Sequence, residues 1–308
     1  MTGEAEPGDG DAGGGRSGRL ILVGTPIGNL GDISSRAVGA LSEAEVIFCE
    51  DTRRTRKLLS ALQIPAPRLV RLDQHSEHAM VEYVVGILGS GSTGALVSDA
   101  GMPTISDPGH EVVRACADAG IKVEVVPGPT AVSAALALSG LSASRYRFEG
   151  FLARKGRDRA AQLQSVASER MTTVVYESPH RVARTIADLS VVCGKERRVA
   201  LARELTKLHE ETWRGALGDA VAWIGSAPDP PRGEWVLIIA GLAEMEADGS
   251  GDRQVSEDVG DAAIADAIRS RMAAGLDRRQ AVAEVTAQLR VPRRRVYALA
   301  VALRDTPG

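Results

Sequence analysis

A dense polar segment follows a short apolar run in the first half of the chain. Residues 98–109 read SDAGMPTISDPG and come directly after Gly94–Val97. Their two prolines and two glycines rule out a regular helix or a central strand. Asp99 and Asp107 supply carboxylates that suit hydroxyl groups, an ammonium group or another positive centre. S-adenosylmethionine combines all three groups, although the same residues also suit a tight turn followed by a helix start.

A second loop of this kind opens the fold. Residues 24–31 follow the apolar run Leu20–Val23 and place glycines at positions 24, 28 and 31. This spacing differs from the GxGxxG fingerprint of dinucleotide-binding folds and lacks the Gly-Lys-Ser/Thr end of a phosphate loop. Neither loop contains a lysine or arginine that could hold a polyphosphate. The two loops therefore disfavour a nucleoside triphosphate and favour another kind of small molecule.

Short β-rich runs alternate with helical ones from residue 19 onward, which is typical of βαβ units. Strands are predicted at 20–23, 46–48, 94–97 and 123–126, with helices through Val38 and Leu41 and at 110–119. Parallel strands with crossover helices bring their carboxyl ends to one sheet edge, where ligands bind in α/β folds. The fold class is therefore α/β, and both polar loops are expected at that edge.

Composition divides the chain into two α/β domains and a small helical unit. Residues 1–18 are rich in glycine and acidic residues with almost nothing apolar, which predicts disorder. Pro127–Pro129 interrupts the strand and helix alternation, and apolar runs between 146 and 239 predict a second, mixed sheet. The predicted segments are a tail at 1–18, a first domain at 19–127, a second at 128–241, a linker at 242–257 and a basic helical unit at 258–308.

Overall charge gives no sign of a nucleic-acid-binding protein. The 308 residues carry a net charge of −3, so any basic patch must be local. One patch is Arg154, Lys155, Arg157 and Arg159, and another is Arg293, Arg294 and Arg295, at the start of the last predicted helix. Both suit RNA phosphates, and both also suit an ordinary solvated surface. Aromatic residues make up 3% of the chain, so stacking on single-stranded RNA is not expected to be prominent.

The sequence predicts no cysteine chemistry, no metal site and no membrane span. The three cysteines are far apart and form no CxxC pair, which favours buried, reduced thiols. His75 and His78 lack the carboxylates or cysteines that would complete a metal site, so we expect no metal. No apolar run approaches the roughly 20 residues needed to cross a bilayer, and we expect a soluble, cytoplasmic protein.

Seven ordered motifs between residues 19 and 241 resemble one family. They are GTPIGNL at 24–30, EDTR at 50–53, the segment 98–109, PGP at 127–129, EGFL at 149–152, YESPHR at 176–181 and ARELTK at 202–207. The family is that of the small-subunit ribosomal RNA cytidine 2′-O-methyltransferases, within the tetrapyrrole methylase superfamily. The resemblance implies two α/β domains of the class III methyltransferase type, with S-adenosylmethionine in a cleft between them and usually a homodimer. It also implies methylation of a decoding-centre cytidine ribose in 16S rRNA of the small ribosomal subunit.

The resemblance also implies roles for single residues. Those expected at the cofactor are Pro26, Ser98, Asp99, Ala100, Gly101, Pro103, Ile105, Ser106 and Asp107, with Thr130, Phe148, Tyr176, Glu177, Leu205, Thr206 and Lys207 on the adenosine side. The candidates to accept the hydroxyl proton are Glu50, Asp51 and His180. Arg53 and Arg181 are expected to contact flanking phosphates. Asp51 also suits the cap of a helix that starts after the strand at 46–48.

Two other functions stay open at this point. One keeps the cofactor fold but methylates carbon atoms of a tetrapyrrole, which would leave the two basic segments without a role. The other is a non-enzymatic RNA-binding module associated with the ribosome, which would retain the pocket without its chemistry.

Overall fold

The computed structural model describes residues 18–74, 76–226, 231–247, 260–289, 291 and 293–303, which form two compact units. Unit 1 holds the described residues up to Ala134 together with Glu204–Glu210. Unit 2 holds Ala135–Arg203 and the described residues from Glu211 onward. The sequence predicted a boundary after residue 127, whereas the units divide inside the helix that follows. Nothing in the composition predicts that Glu204–Glu210 belongs to unit 1.

Unit 1 is built on a parallel sheet of five strands. They are β1 (Arg19–Val23), β2 (Val46–Cys49), β3 (Arg68–Arg71), β4 (Thr93–Val97) and β5 (Lys122–Val126), in the order β3-β2-β4-β1-β5. The helices are α1 (Ser35–Glu43), α2 (Thr52–Ala61), α3 (Glu77–Gly89) and α4 (His110–Asp118), with a short 3-10 helix at Leu30–Asp32. Helix α5 (Ala131–Ser139) begins in unit 1 and ends in unit 2. The predicted parallel α/β arrangement is confirmed. Strand β3 and helix α3 are additions to the elements that the sequence predicted, whereas α2 is the helix that Asp51 was expected to cap.

Neighbouring strand residues fill separate cores on the two faces of this sheet. Ile47 shares a core with Leu41 of α1, whereas the next residue, Phe48, shares a core with Leu88 of α3. All four side chains are buried. Because helices cover both faces of the sheet, the loops at the strand ends are where this unit can present polar groups to a ligand.

Unit 2 contains a mixed sheet, as the sequence predicted. Its strands are β6 (Tyr146–Phe151), β7 (Thr172–Glu177), β8 (Arg198–Arg203), β9 (Glu211–Ala216) and β10 (Trp235–Ile239), in the order β6-β7-β10-β8-β9. Only the β6–β7 pair of this sheet is parallel. Helices α6 (Gly156–Ser168), α7 (Val182–Cys193) and α8 (Leu217–Gly225) contribute Leu163, Ile186 and Leu217 to the core over this sheet. This core also contains Trp235.

Four more helices complete the described chain. They are α9 (Leu242–Ala247), α10 (Asp261–Ala273), α11 (Arg278–Leu289) and α12 (Arg293–Ala302). Helices α10, α11 and α12 share a small apolar core that includes Ile268, Val285 and Val296. The sequence predicted a helical unit over 258–308, with α12 as its last helix, and it assigned residues 242–247 to a linker. The rest of that linker from residue 248, and residues 1–17 of the predicted tail, lie outside the described residues. None of the described helices is both long and apolar enough to span a membrane.

The loops after β1 and β5 approach each other too closely for side chains. A Cβ added to Gly24 would lie 2.5 Å from the backbone nitrogen of Gly128, and a Cβ on Gly128 would lie 2.8 Å from the carbonyl carbon of Gly24. The obstacle is backbone in both cases, so it cannot rotate away. Glycine is therefore required at both positions.

We expect Gly24→Ala to lower the free energy of unfolding by about 1–3 kcal/mol, because the added methyl group forces the two loops apart. Gly39→Ala in α1 is the matched control, since no atom outside its neighbouring residues and the nearby backbone of its own helix lies within 4 Å of its added Cβ. Alanine in an open helix position should instead stabilise the protein by roughly 0.5–1 kcal/mol. Denaturant unfolding measures both variants, and equal stabilities would contradict the close approach.

Candidate functional site

Backbone hydrogen bonds join two loops at the carboxyl edge of the unit 1 sheet. The Thr25 N–H donates to the carbonyl of Gly101 (2.8 Å), and the Gly101 N–H donates to the carbonyl of Thr25 (3.1 Å). The buried Thr25 hydroxyl lies 3.4 Å from the carbonyl oxygen of Ser98. The Ser98 hydroxyl, also buried, lies 3.2 Å from the carbonyl oxygens of Ala100 and Gly101. The two polar loops that the sequence singled out are therefore one connected structure.

The 98–109 segment contains backbone conformations that most side chains avoid. φ is +73° at Thr104 and +64° at Ser106, in the left-handed region. Each such residue costs on the order of 1–3 kcal/mol and persists only where the surrounding structure enforces it, most often at binding sites. Glu204 and Thr206 show the same feature, with φ of +50° and +63°. The strain marks both segments as candidate binding elements.

Carboxylates gather where β2 and β4 end. Asp99 Oδ1 accepts the Asp51 N–H (3.2 Å), and Asp99 Oδ2 lies 3.4 Å from Arg54 Nη1. Burial raises the pKa of Glu50 and of Asp99, with Arg54 opposing the rise in both. Burial also raises the pKa of Asp107 to about 6, and repulsion from Glu50 and Asp99 adds to that rise. Desolvated negative charges of this kind favour a positive ligand.

Asp51 differs from its neighbours because it caps a helix. Its Oδ1 accepts the Arg53 N–H (2.8 Å) at the start of α2, and this bond is the main cause of its lowered pKa. A carboxylate that holds its charge so firmly is a poor proton acceptor near neutral pH. Among the three candidates, Glu50 therefore has the more suitable chemistry, while His180 lies exposed on the turn after β7 in unit 2.

Two cavities open beside the loops of unit 1, both of a size usual for small-molecule sites. One, of about 570 Å³, is lined by Glu50, Asp51, Thr52, Arg53, Arg54, Arg71, Asp73, Gln74 and Asp99. The other, of about 600 Å³, is lined by Ile27, Asp32, Pro127, Gly128, Pro129, Thr130, Ser133, Ala134 and Thr206. Sequence reasoning missed Arg71 and Asp73 because it missed β3, which positions them. It also passed over Arg54, because only the structure shows that this side chain pairs with Asp99.

The segment Glu204–Glu210 lies against the first loop within unit 1. Thr206 Oγ1 accepts the Asn29 N–H (3.0 Å), and the Thr206 N–H donates to Glu210 (2.6 Å). Leu205 is buried, and Lys207 pairs with Glu204 (2.9 Å). The predicted cofactor residues Leu205, Thr206 and Lys207 are thus beside the loop that carries Pro26.

The other predicted cofactor residues of unit 1 fall into two groups. Gly101 and Pro103 are buried within the 98–109 segment, whereas Ala100, Ile105 and Ser106 of the same segment are exposed. Thr130 accepts the Ser133 N–H (3.2 Å) at the start of α5 and also lines the 600 Å³ cavity.

In unit 2, the predicted residues around β7 contact one another. The Phe148 and Tyr176 rings lie 4.9 Å apart. Glu177 is buried and accepts the Thr185 hydroxyl (2.7 Å), and it lies 3.3 Å from Arg181 Nε. Arg181 also donates to the carbonyl of Leu152 (2.6 Å). The side chains of Glu177 and Arg181 are therefore engaged inside unit 2, although the sequence assigned them to the cofactor and to RNA.

The predicted RNA contacts differ in exposure. Arg53, Arg154, Lys155 and Arg157 are exposed. Arg159, which the sequence grouped with them, is instead buried and paired with Asp188 (2.7 Å), so its inclusion was wrong. Arg295 pairs with Asp261 (2.7 Å) between α12 and α10. The side chains of Arg293 and Arg294 lie outside the described part of the chain.

Comparison with known proteins finds similarity along most of the chain. Residues 19–221 match the family described as Tetrapyrrole (Corrin/Porphyrin) Methylases. The chain is 44% identical to Ribosomal RNA small subunit methyltransferase I of a Synechocystis species, over 93% of this chain and 98% of that protein. It is 46% identical to the protein of the same name from Mycobacterium bovis, over 74% and 79%. A crystal structure of uroporphyrin-III C-methyl transferase from Thermus thermophilus, complexed with S-adenyl homocysteine, has a TM-score of 0.51 at 20% identity, over 72% of this chain and 97% of that one, which shows a shared fold.

The raised pKa of Asp107 gives a test by pH. Burial favours the neutral, protonated form of the Asp107 carboxyl in the folded protein. The free energy of unfolding therefore falls as pH rises toward about 6, because the folded protein has to lose this proton. Asp107→Asn stays neutral throughout. We therefore expect the difference in unfolding midpoint, variant minus wild type, to increase from pH 4 to pH 6 and then to level off.

Asp51→Ala is the contrasting variant, because the pKa of Asp51 is lowered instead. Its stabilising charge is present above pH 4 and is lost as pH falls further. The Asp51→Ala deficit should thus be largest at neutral pH and shrink in acid. A pH-independent difference for Asp107→Asn would contradict the desolvated carboxylate.

Proposed function

The chain belongs to the tetrapyrrole methylase family, and we propose that it is an enzyme that methylates small-subunit ribosomal RNA with S-adenosylmethionine as the methyl donor. The observation that carries this proposal is the 44% identity that extends over 98% of a relative named for this activity. The exposed cations of both units agree with an RNA substrate. The family resemblance adds a finer proposal, in which the acceptor is the ribose 2′-hydroxyl of cytidine 1402 in the decoding centre.

The residues of unit 1 suit a cofactor with a positive sulfur. The 24–31 and 98–109 loops contain no lysine or arginine, and their carboxylates Asp99 and Asp107 are desolvated. We assign these two carboxylates to the positive and hydroxyl groups of the cofactor. Gly24 and Gly128 let the loops after β1 and β5 pack backbone against backbone beside Pro26. Gly128, Thr130 and Thr206 line the cavity of about 600 Å³ next to this contact.

When bound, S-adenosylmethionine supplies a methyl group on a sulfonium, which is already an excellent leaving group. The chain therefore has to position the acceptor hydroxyl and to remove its proton. Correct positioning can supply about 7–11 kcal/mol of the barrier reduction at best. We assign the proton to a carboxylate oxygen of Glu50, whose raised pKa brings it closer to the pH at which a general base works best.

The cations around the 570 Å³ cavity suit the phosphates that flank the acceptor ribose. Arg53 is 87% exposed there, and Arg71 is exposed at the end of β3. In unit 2, Arg154, Lys155 and Arg157 offer a second contact for the RNA backbone. An RNA substrate of this kind would place the protein in the cytoplasm. The homodimer implied by the family resemblance stays a prediction.

Transfer to the small subunit is tested with purified components. The enzyme is incubated with S-adenosylmethionine carrying a labelled methyl group and with small subunits from a strain that lacks its gene. Mass spectrometry of the rRNA fragment should find one added methyl group on a cytidine ribose. A methyl group on a base would contradict the 2′-hydroxyl. Transfer to a uroporphyrinogen and not to RNA would favour the tetrapyrrole reaction.

Asp99→Asn tests the carboxylate at the cofactor. Asparagine keeps an oxygen for the Asp51 N–H but removes the charge. Because hydrogen bonds to charged groups contribute about 1.5–3 kcal/mol, we expect cofactor affinity measured by calorimetry to fall roughly 10- to 150-fold. Asp118→Asn, at an exposed position in α4, is the control that should keep the wild-type affinity. Equal affinities for the two variants would remove Asp99 from the cofactor site.

Glu50→Gln tests the proton acceptor. Removal of a general base typically lowers the rate of the chemical step by about 100- to 10,000-fold. We expect a loss of kcat in that range, with the cofactor still bound. Glu82→Gln, at an exposed carboxylate of α3, serves as control. A kcat within a few-fold of the wild type for Glu50→Gln would show that another group accepts the proton.

A further inference from the structure

An exposed aromatic ring lies beside the basic loop of unit 2. Phe151, the last residue of β6, is 54% exposed. Three exposed cations, Arg154, Lys155 and Arg157, follow it within six residues. Single exposed apolar side chains are common on protein surfaces, so exposure alone says little. The way in which the fold holds Phe151 is more informative.

A β-bulge determines the side of the sheet on which Phe151 lies. In a regular strand, residues 148 and 151 would face opposite sides. The pairing of β6 with β7 shifts by one residue between Phe148 and Gly150, which brings Phe151 opposite Tyr176. Gly150 has φ of +63°, a conformation that favours glycine. The extra residue therefore places Phe148 and Phe151 on one face, as bulges near functional sites often do.

The ring of Tyr176 supports both phenylalanines on that face. Its centroid lies 4.9 Å from that of Phe148 in an edge-on contact and 5.6 Å from that of Phe151 in a tilted contact. Such aromatic contacts fix ring orientation. Phe151 is thus held by a neighbouring ring while more than half of its surface stays open to solvent.

Two arginine side chains hold the backbone that follows Phe151. The carbonyl of Leu152 accepts a hydrogen bond from Arg181 (2.6 Å), and that of Ala153 accepts one from Arg159 (3.1 Å). Arg159 is 5% exposed and is itself fixed by its ion pair with an aspartate of α7. The ring and the start of the basic loop are therefore ordered before any ligand binds, which reduces the entropic cost of binding.

We propose that Phe151 stacks on a base of the RNA substrate while the loop cations Arg154, Lys155 and Arg157 contact its phosphates. An ordered aromatic ring beside a run of cations is the combination by which proteins hold single-stranded nucleic acid. The adenine of S-adenosylmethionine could also stack on a ring, but that cofactor has no phosphate for the cations to bind. The inference rests on the proposed function, since the RNA is the substrate of that reaction.

Substitutions at Phe151 distinguish the effect of the aromatic ring from the effect of apolar volume. Phe151→Ala removes both, Phe151→Leu keeps apolar bulk without the ring, and Phe151→Trp keeps a ring. We expect the first two to raise the KM for small subunits by roughly 5- to 150-fold, the usual range for loss of one stacked base. Phe151→Trp should keep the KM for small subunits near the wild-type value. Cofactor affinity measured by calorimetry should stay at the wild-type value in all three.

Tyr146→Ala is the matched control, because Tyr146 is 46% exposed at the other end of the same strand. Its KM for small subunits should stay at the wild-type value. Binding of each variant to a single-stranded RNA oligonucleotide at several salt concentrations gives a second measurement. We expect Phe151→Ala to weaken binding without changing the salt dependence, whereas Lys155→Ala should reduce that dependence.

Three results would overturn the inference. The first is an unchanged KM and unchanged oligonucleotide binding for both Phe151→Ala and Phe151→Leu. The second is a loss of cofactor affinity instead, which would assign the ring to the adenine. The third is a change of oligomeric state in light scattering, which would assign it to a second copy of the chain. If the wild-type enzyme binds the oligonucleotide through Phe151 but transfers no methyl group to RNA, the proposed function fails and the stacking contact stands.

Discussion

The paired backbone hydrogen bonds between Thr25 and Gly101 are the constraint on which the candidate site depends. They join the loop after β1 to the loop after β4, so the 98–109 segment cannot relax away from the sheet edge. The left-handed residues Thr104 and Ser106 are strained conformations that a free loop would not keep. The close contact of Gly24 with Gly128 adds the loop after β5 to the same structure. The parallel sheet thus brings three loops into one rigid edge.

This rigidity explains how the protein keeps partly buried carboxylates close together. Glu50, Asp99 and Asp107 are partly removed from water, which raises the pKa of each, and repulsion from Asp99 adds to the rise at Glu50 and Asp107. Such an arrangement lowers the stability of the fold, and proteins retain it where a ligand offsets the repulsion. A positive sulfur compound would do so, which connects the electrostatics of unit 1 to methyl transfer. Asp51 shows the contrast, because its carboxylate is satisfied by the backbone at the start of α2.

The sequence predicted the parts of the structure that depend on composition and order. Apolar runs such as Leu20–Val23 identify buried strands, and the motifs identify the family and the loops that carry the carboxylates. Strand β3 escaped prediction because Arg68–Arg71 has only two apolar residues and lies at a sheet edge. Arg159 reads as one of a run of surface cations, yet tertiary contacts bury it. The bulge in β6 has no signal in the sequence either. Residues three apart in a regular strand face opposite sides, so the spacing of Phe148 and Phe151 does not predict that they share a face. Contacts between residues distant in the chain determine these features, and no local pattern records them.

We propose that a positively charged cofactor binds against the carboxylates at the edge of the unit 1 sheet. Binding there must lower the pKa of Asp107, which is about 6 in the free protein, and so release protons near that pH. Calorimetric titration with S-adenosylmethionine at pH 6, in buffers of different ionisation enthalpy, counts the protons released. We expect binding with net proton release, and we expect Asp107→Asn to reduce that release. Binding without proton release, or no binding, would contradict the proposal.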